Sequence, residues 1–179
     1  MSNPLYVEYH DKEWGRPVHD EHQLFEMLTL EGAQAGLSWE TVLNKRKRYR
    51  EVFKKFDPVK VSKFSPSQIK AILQDPGIIR NRLKIESTVS NAKAFLQVQK
   101  EFGSFDRYLW GFVDFKPIIN HFEKMKDYPT KTSISDSISK DLKKRRFRFV
   151  GTTIIYAMMQ AIGMTQDHAK QCYLHNKKL

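Results

Sequence analysis

Apolar side chains recur every three or four residues along most of the sequence, and that helical period limits the fold more than any other feature. Leu24, Met27, Leu28, Glu31 and Ala35 fall at i, i+3, i+4, i+7 and i+11, the spacing of one helix face behind a capping Asp20. Ser38 caps a second predicted helix through about Phe56, with Val42, Tyr49, Phe53 and Phe56 as its apolar positions. Asp57-Pro58 reads as a cap followed by proline at the first helical position. Ser65-Pro66-Ser67-Gln68 is a capping box that opens a short helix to about Leu73. Beyond a turn at Asp75-Pro76-Gly77, helices are predicted near 80–102 and from Ser104 through Phe105, Leu109, Trp110 and Phe112. The stretch 115–133, with Pro117 and Pro129, reads as irregular, and 135–145 as a helix ending in basic residues. Gly151 marks a break before the most apolar helix, Thr152 to Ile162, which Gly163 stops; a last short helix carries His168 and Cys172. Only Phe147–Val150 alternates like a strand, over too short a span to found a sheet. The expected fold is all-α, a single domain over 1–179.

Composition narrows the setting. A chain of 179 residues buries an adequate core without disulfide or metal staples. The single cysteine, Cys172, excludes an internal disulfide framework and fits a reducing compartment, so a cytoplasmic location is expected. No apolar run approaches the roughly 18 residues of a membrane span, and the first residues lack the layout of a secretion signal, so no membrane partner is expected. Thirty-one Lys and Arg against twenty Asp and Glu give a net charge of +11, which favours polyanionic partners, nucleic acid foremost. A monomer is the default expectation.

Four groups of residues can carry chemistry. Glu31 occupies an apolar helix face, so its carboxylate points into the protein or into a pocket; it is either paired with a nearby Lys or Arg or left for a ligand. Around it the sequence gathers Tyr6, Tyr9, His10, Trp14 and Trp39, which either fill the core or sandwich a planar base whose edge the acid reads. Basic residues crowd 45–55 and 140–148, and the second run leads into Phe147-Arg148-Phe149-Val150-Gly151-Thr152-Thr153. That segment resembles the hairpin of a helix-hairpin-helix element, whose free backbone N–H groups hold a phosphate; otherwise both runs are solvated faces. Asp75–Arg80 is a second possible turn near phosphate. His168 and Cys172, at i and i+4, can face one metal ion with His10, and His175 is a further candidate; the alternative is a buried free cysteine beside surface histidines. The sequence has no P-loop, dinucleotide fingerprint or Gly-x-Ser-x-Gly motif.

Taken in order, these residues form a longer pattern. It runs through Tyr6-x-x-Tyr9-His10-Asp11-x-Glu13-Trp14-Gly15, Leu24-Phe25-Glu26-Met27 and Leu30-Glu31-x-x-Gln34-Ala35-Gly36-Leu37-Ser38-Trp39. It continues through Phe56-Asp57-Pro58-x-Lys60-Val61, Gly77-Ile78-Ile79-Arg80, Asn91-Ala92, Leu142-Lys143 and Phe149–Thr153, and ends at Asp167-His168-x-x-x-Cys172. Across essentially the whole chain it closely resembles the DNA-3-methyladenine glycosylase I family of constitutive bacterial base-excision enzymes.

The resemblance implies a helix-hairpin-helix DNA glycosylase fold with the N- and C-terminal segments brought together. It implies hydrolysis of the N-glycosidic bond of 3-methyladenine in alkylated double-stranded DNA, releasing free 3-methyladenine and leaving an abasic site without strand cleavage. On this reading Glu31 reads the flipped base and contributes to catalysis. Tyr9 and Trp39 stack on the base or line its walls, and Tyr6 and Trp14 shape the pocket. Gly36 and Leu37 fill the gap in the duplex, while Arg148, Phe149, Val150, Gly151, Thr152 and Thr153 hold phosphates. The family also binds a structural zinc through positions matching His10, His168 and Cys172 and through an N-terminal Cys that this sequence lacks ahead of Tyr6. With three of four ligands, zinc occupancy is expected to be weakened or variable. A second departure is Arg146, where the family commonly has the glycine that starts the hairpin. Two rival functions are a damage sensor without turnover, which would keep Glu31 and Trp39, and a structural DNA-binding protein, which has no reason to cluster them with Tyr9.

Overall fold

Short polar caps, several followed by proline, set where the helices begin. The computed structural model describes residues 3–175. Asn3, Asp57 and Ser65 each accept first-turn amides ahead of Pro4, Pro58 and Pro66, which open α1 (Pro4–Lys12), α4 (Pro58–Val61) and α5 (Pro66–Leu73). Asp20, Ser38, Asn81, Ser104 and Thr132 do the same for α2 (Glu21–Gln34), α3 (Trp39–Val52), α6 (Arg82–Phe102), α7 (Phe105–Trp110) and α8 (Ser133–Lys144). α9 (Thr152–Ala161) follows Gly151 and has no side-chain cap. Two-residue strands β1 (Ile118–Ile119) and β2 (Thr165–Gln166) pair in parallel, with Ile118 opposite Thr165. Among the described residues the fold is therefore the expected helical one, and no helix is long and apolar enough to cross a membrane.

α2 is the centre of the molecule. Every residue from Leu24 to Ala33 is buried, because α3, α6, α7 and α9 pack around it, so the single apolar stripe read from the sequence understates how enclosed this helix is. Phe25 meets Phe95 of α6 at 5.3 Å, and Phe95 stacks on Phe105 of α7 at 4.1 Å between ring centroids. Each such fully buried side chain contributes about 1.5–3 kcal/mol. Of the two buried acids of α2, Glu26 is matched. Glu26 accepts from Arg46 Nε and Arg50 Nε, both at 2.7 Å, and Arg46 also pairs with Glu13 at 2.7 Å.

Two local expectations are corrected. The helix predicted through Phe56 stops at Val52, because Lys54, Lys55 and Phe56 all take left-handed backbone (φ 54°, 55° and 55°), a turn that returns Phe56 to the core beside Phe53. His168 and Cys172 do not lie on a helix: His168 precedes two successive turns that meet at Cys172, whose N donates to Ala169 O at 2.8 Å and whose O accepts His175 N at 2.9 Å.

Candidate active site

Glu31 lies near the end of α2 and is 4% exposed, facing a cavity of about 320 Å³. The volume falls in the range of small-molecule sites. Tyr6 and Tyr9 come to the cavity from α1, and Trp39 from the first turn of α3, where the Ala35–Ser38 loop delivers it. The choice left open by the sequence is settled here: among the described residues, no hydrogen bond or ion pair reaches the Glu31 carboxylate. Burial alone pushes its pKa from 4.5 up to about 8, which favours the neutral acid at pH 7. Burial and the neighbouring Glu31 charge both hold the Tyr9 hydroxyl protonated.

The aromatic walls are continuous. The Tyr9 and Trp39 rings meet at 5.2 Å between centroids with planes tilted by 44°. Trp14 also lines the cavity; it stacks on His10 at 6.0 Å and meets His168 edge-on at 4.7 Å. Tyr6, 44% exposed, sits at the mouth. Every base-binding residue read from the sequence is therefore on this one cavity. Sequence reasoning gave no role to Gln34, Ala157 and Gln160, which complete the lining. Gln34 and Glu31 are three apart on one helix face, a signal that was there to be used; Gln160 comes from α9, and nothing local announces it.

His10 and Trp14 belong also to a second cluster. His10, His168 and Cys172 bring ligand atoms within 4.8 Å of one another, with Cys172 Sγ 3.7 Å from His10 Nε2 and 3.6 Å from His168 Nδ1. Asp11 Oδ1 lies 2.8 Å from His10 Nδ1, a carboxylate that fixes the ring so that Nε2 faces the thiol. Two imidazoles, one thiol and an outer carboxylate are a donor set that suits zinc. His175 turns elsewhere: its Nδ1 lies 2.8 Å from His168 O and its Nε2 3.1 Å from His121.

The candidate nucleic-acid face borders the cavity. Gly36 takes φ +77°, which a side chain resists, and this sharp turn leaves Leu37 42% exposed. Between α8 and α9, Asn91 clamps the hairpin: its Nδ2 donates to Arg148 O at 2.9 Å and its Oδ1 accepts Arg148 N at 2.8 Å. Arg146 (φ 68°) and Phe149 (φ 55°) adopt left-handed backbone, a conformation that glycine enters more readily than either. Val150 as a whole is 2% exposed and its carbonyl accepts Ser139 Oγ, so this residue anchors the hairpin to the core. Thr152 is held by Ser135 Oγ at 2.9 Å, while Thr153 is exposed on the uncapped first turn of α9. Arg148 is exposed and in no ion pair among the described residues. The basic run on α3 is different: Arg46, Arg48 and Arg50 are neutralised by Glu13, Glu26, Glu51 and Asp75. Asp75, bound by Arg48, closes the Asp75–Gly77 turn internally.

Comparison with known proteins places this geometry in a family. The profile of the methyladenine glycosylase family matches residues 1–175. The chain is 49% identical over 168 residues to the DNA-3-methyladenine glycosylase of Haemophilus influenzae, covering 94% of this chain and 91% of that one. It is likewise 49% identical over 170 residues to DNA-3-methyladenine glycosylase 1 of Escherichia coli, covering 95% and 91%. Among solved structures, a variant 3-methyladenine DNA glycosylase I in complex with 3-methyladenine superimposes with a TM-score of 0.95 at 35% identity, covering 99% of this chain and 95% of that one. An acid isolated on a ring-walled cavity, within a chain that matches these proteins almost end to end, is a member of the methyladenine glycosylase family.

Proposed function

We propose that this protein is a base-excision DNA glycosylase that hydrolyses the N-glycosidic bond of 3-methyladenine, and that Glu31 is the group through which it selects that base. The observation that carries the second part is the carboxyl of Glu31, buried and without a partner on an aromatic cavity. Methylation at N3 makes the attached adenine cationic and weakens its bond to the sugar. Extracting that base from the stack costs roughly a few kcal/mol. Inside the cavity the cationic base supplies the positive partner that Glu31 lacks, so the carboxyl releases its proton to solvent as the base enters and accepts a hydrogen bond from the exocyclic amine.

The glycosidic C–N bond then breaks with its electron pair moving onto the base, which leaves as neutral 3-methyladenine. Water adds to the sugar carbon and its proton passes to solvent. Departure removes the charge that Glu31 attracts, so Glu31 acts mainly in recognition, with orientation by the ring wall of Tyr9 and Trp39. Leu37 enters the duplex where the base has left, and Arg148, the N–H groups of 150–153 and the first turn of α9 bind the backbone. His10, His168 and Cys172 would hold zinc, whose chemistry here is structural: it ties the ends of the chain together beside Trp14.

Incubation with methylated duplex DNA, followed by chromatography of the supernatant, tests the reading. Free 3-methyladenine and unbroken, abasic DNA are expected. DNA binding with no released base would make the protein a sensor.

A further inference from the structure

We propose that Lys84 is a positioning residue for excision from duplex DNA: its ammonium locks the end of α2 and so aims the Leu37 wedge. The proposal rests on the reading of Leu37 given above. Lys84 is 9% exposed and its Nζ donates to Ala33 O at 2.8 Å and Ala35 O at 2.6 Å. A helix leaves its last four carbonyls without intrahelical partners. At the end of α2, Gly32 O accepts Ala35 N and Gln34 O accepts Leu37 N, while the carbonyls of Ala33 and Ala35 take the Lys84 ammonium. One side chain from α6 therefore fixes the carbonyls on both sides of Gln34, immediately before the turn that projects Leu37.

The placement is poor for stability taken alone. Lys84 lies in the first turn of α6, where the helix dipole disfavours a cation. It is buried, and among the described residues no carboxylate pairs with it. An apolar residue would fill that space without desolvating a charge. What the cation adds is rigidity in a loop that otherwise hinges on Gly36, which has no neighbour within 4 Å of the position a Cβ would occupy. A wedge that must displace a stacked base needs that rigidity; a cavity that only receives a free base does not.

The test compares Lys84→Met, Leu37→Ala and the double variant in single-turnover release of 3-methyladenine from duplex and from single-stranded DNA, with affinity for free 3-methyladenine read by tryptophan fluorescence. Lys84→Met is expected to lose about tenfold on duplex and less than about threefold on single strands, since small misplacements of a working group carry penalties of this size. Base affinity should stay within about twofold of the parent, because Lys84 does not line the cavity. The double variant should lose no more than Leu37→Ala. If Lys84→Met does not fold, Lys84→Gln, which keeps one donor for the carbonyls, serves in the same comparison. A duplex-selective loss in Leu37→Ala with none in the Lys84 variant, or with additive losses in the double, overturns the role of Lys84 and leaves the wedge standing. A Leu37→Ala variant with no duplex-selective loss removes the wedge, and the role of Lys84 with it.

Discussion

Tyr9 and Trp39 touch one another, with ring centroids 5.2 Å apart and planes inclined at 44°. A base held flat between two rings needs them about 7 Å apart, twice the contact distance of carbon atoms. These two side chains therefore form a single wall of the Glu31 cavity and not the two sides of a sandwich. On the function proposed above, a base would lie against this wall with its edge toward the acid.

The buried acid makes stability depend on pH. Glu31 has a pKa raised from 4.5 to about 8 in the folded protein, so folding favours its protonated form. That contribution is fully present below about pH 4.5 and is lost as pH rises through about 8. Glu31→Gln imitates the protonated acid at every pH. Urea midpoints should coincide near pH 4.5 and separate towards pH 8.5, with the glutamine variant more stable by up to a few kcal/mol. Parallel pH profiles would show the carboxyl to be paired.

Arg148 projects from the hairpin without an acidic partner among the described residues. Arg148→Ala should weaken binding to any duplex sequence and flatten the dependence of log K on log salt by about one unit. An unchanged slope would remove Arg148 from the phosphate contacts.

Arg146 holds a left-handed turn at φ 68° that glycine enters without strain. Arg146→Gly should stabilise the protein by roughly 0.5–1 kcal/mol, read as a higher denaturant midpoint, and remove one positive charge from the hairpin. A lower midpoint would mean that the arginine side chain makes contacts worth more than the strain.

Zinc should bind the His10, His168 and Cys172 cluster and raise the thermal midpoint, with the rise abolished by chelator and absent in Cys172→Ser. Equal rises in the parent and in Cys172→Ser would place the metal elsewhere.

Much of this was legible in the sequence because it is local. The caps at Asp20, Ser38, Ser65 and Ser104 are short-range hydrogen bonds, and each helix starts where its cap stands. Asn3-Pro4 was an equally good signal for α1, masked by the aromatic cluster that follows it. Other features depend on distant partners. The strands Ile118–Ile119 and Thr165–Gln166 are too short to show alternation and exist only by meeting each other. Three arginines of the basic run on α3 are neutralised by Glu13, Glu26 and Asp75, which are remote in sequence, so the run alone overstates the free charge of that face. The site followed the same division: Glu31, Tyr9 and Trp39 stand out as residues, whereas the isolation of Glu31 and the anchoring of Ala33 and Ala35 by Lys84 emerge only on folding.

If an unpaired buried acid selects the cationic base, Glu31→Gln must lose excision. Under single turnover on methylated duplex DNA, the variant should release 3-methyladenine at least about tenfold more slowly than the parent, the loss of a charge-assisted hydrogen bond, while binding the DNA nearly as well. Equal rates of release by the two proteins would contradict the account.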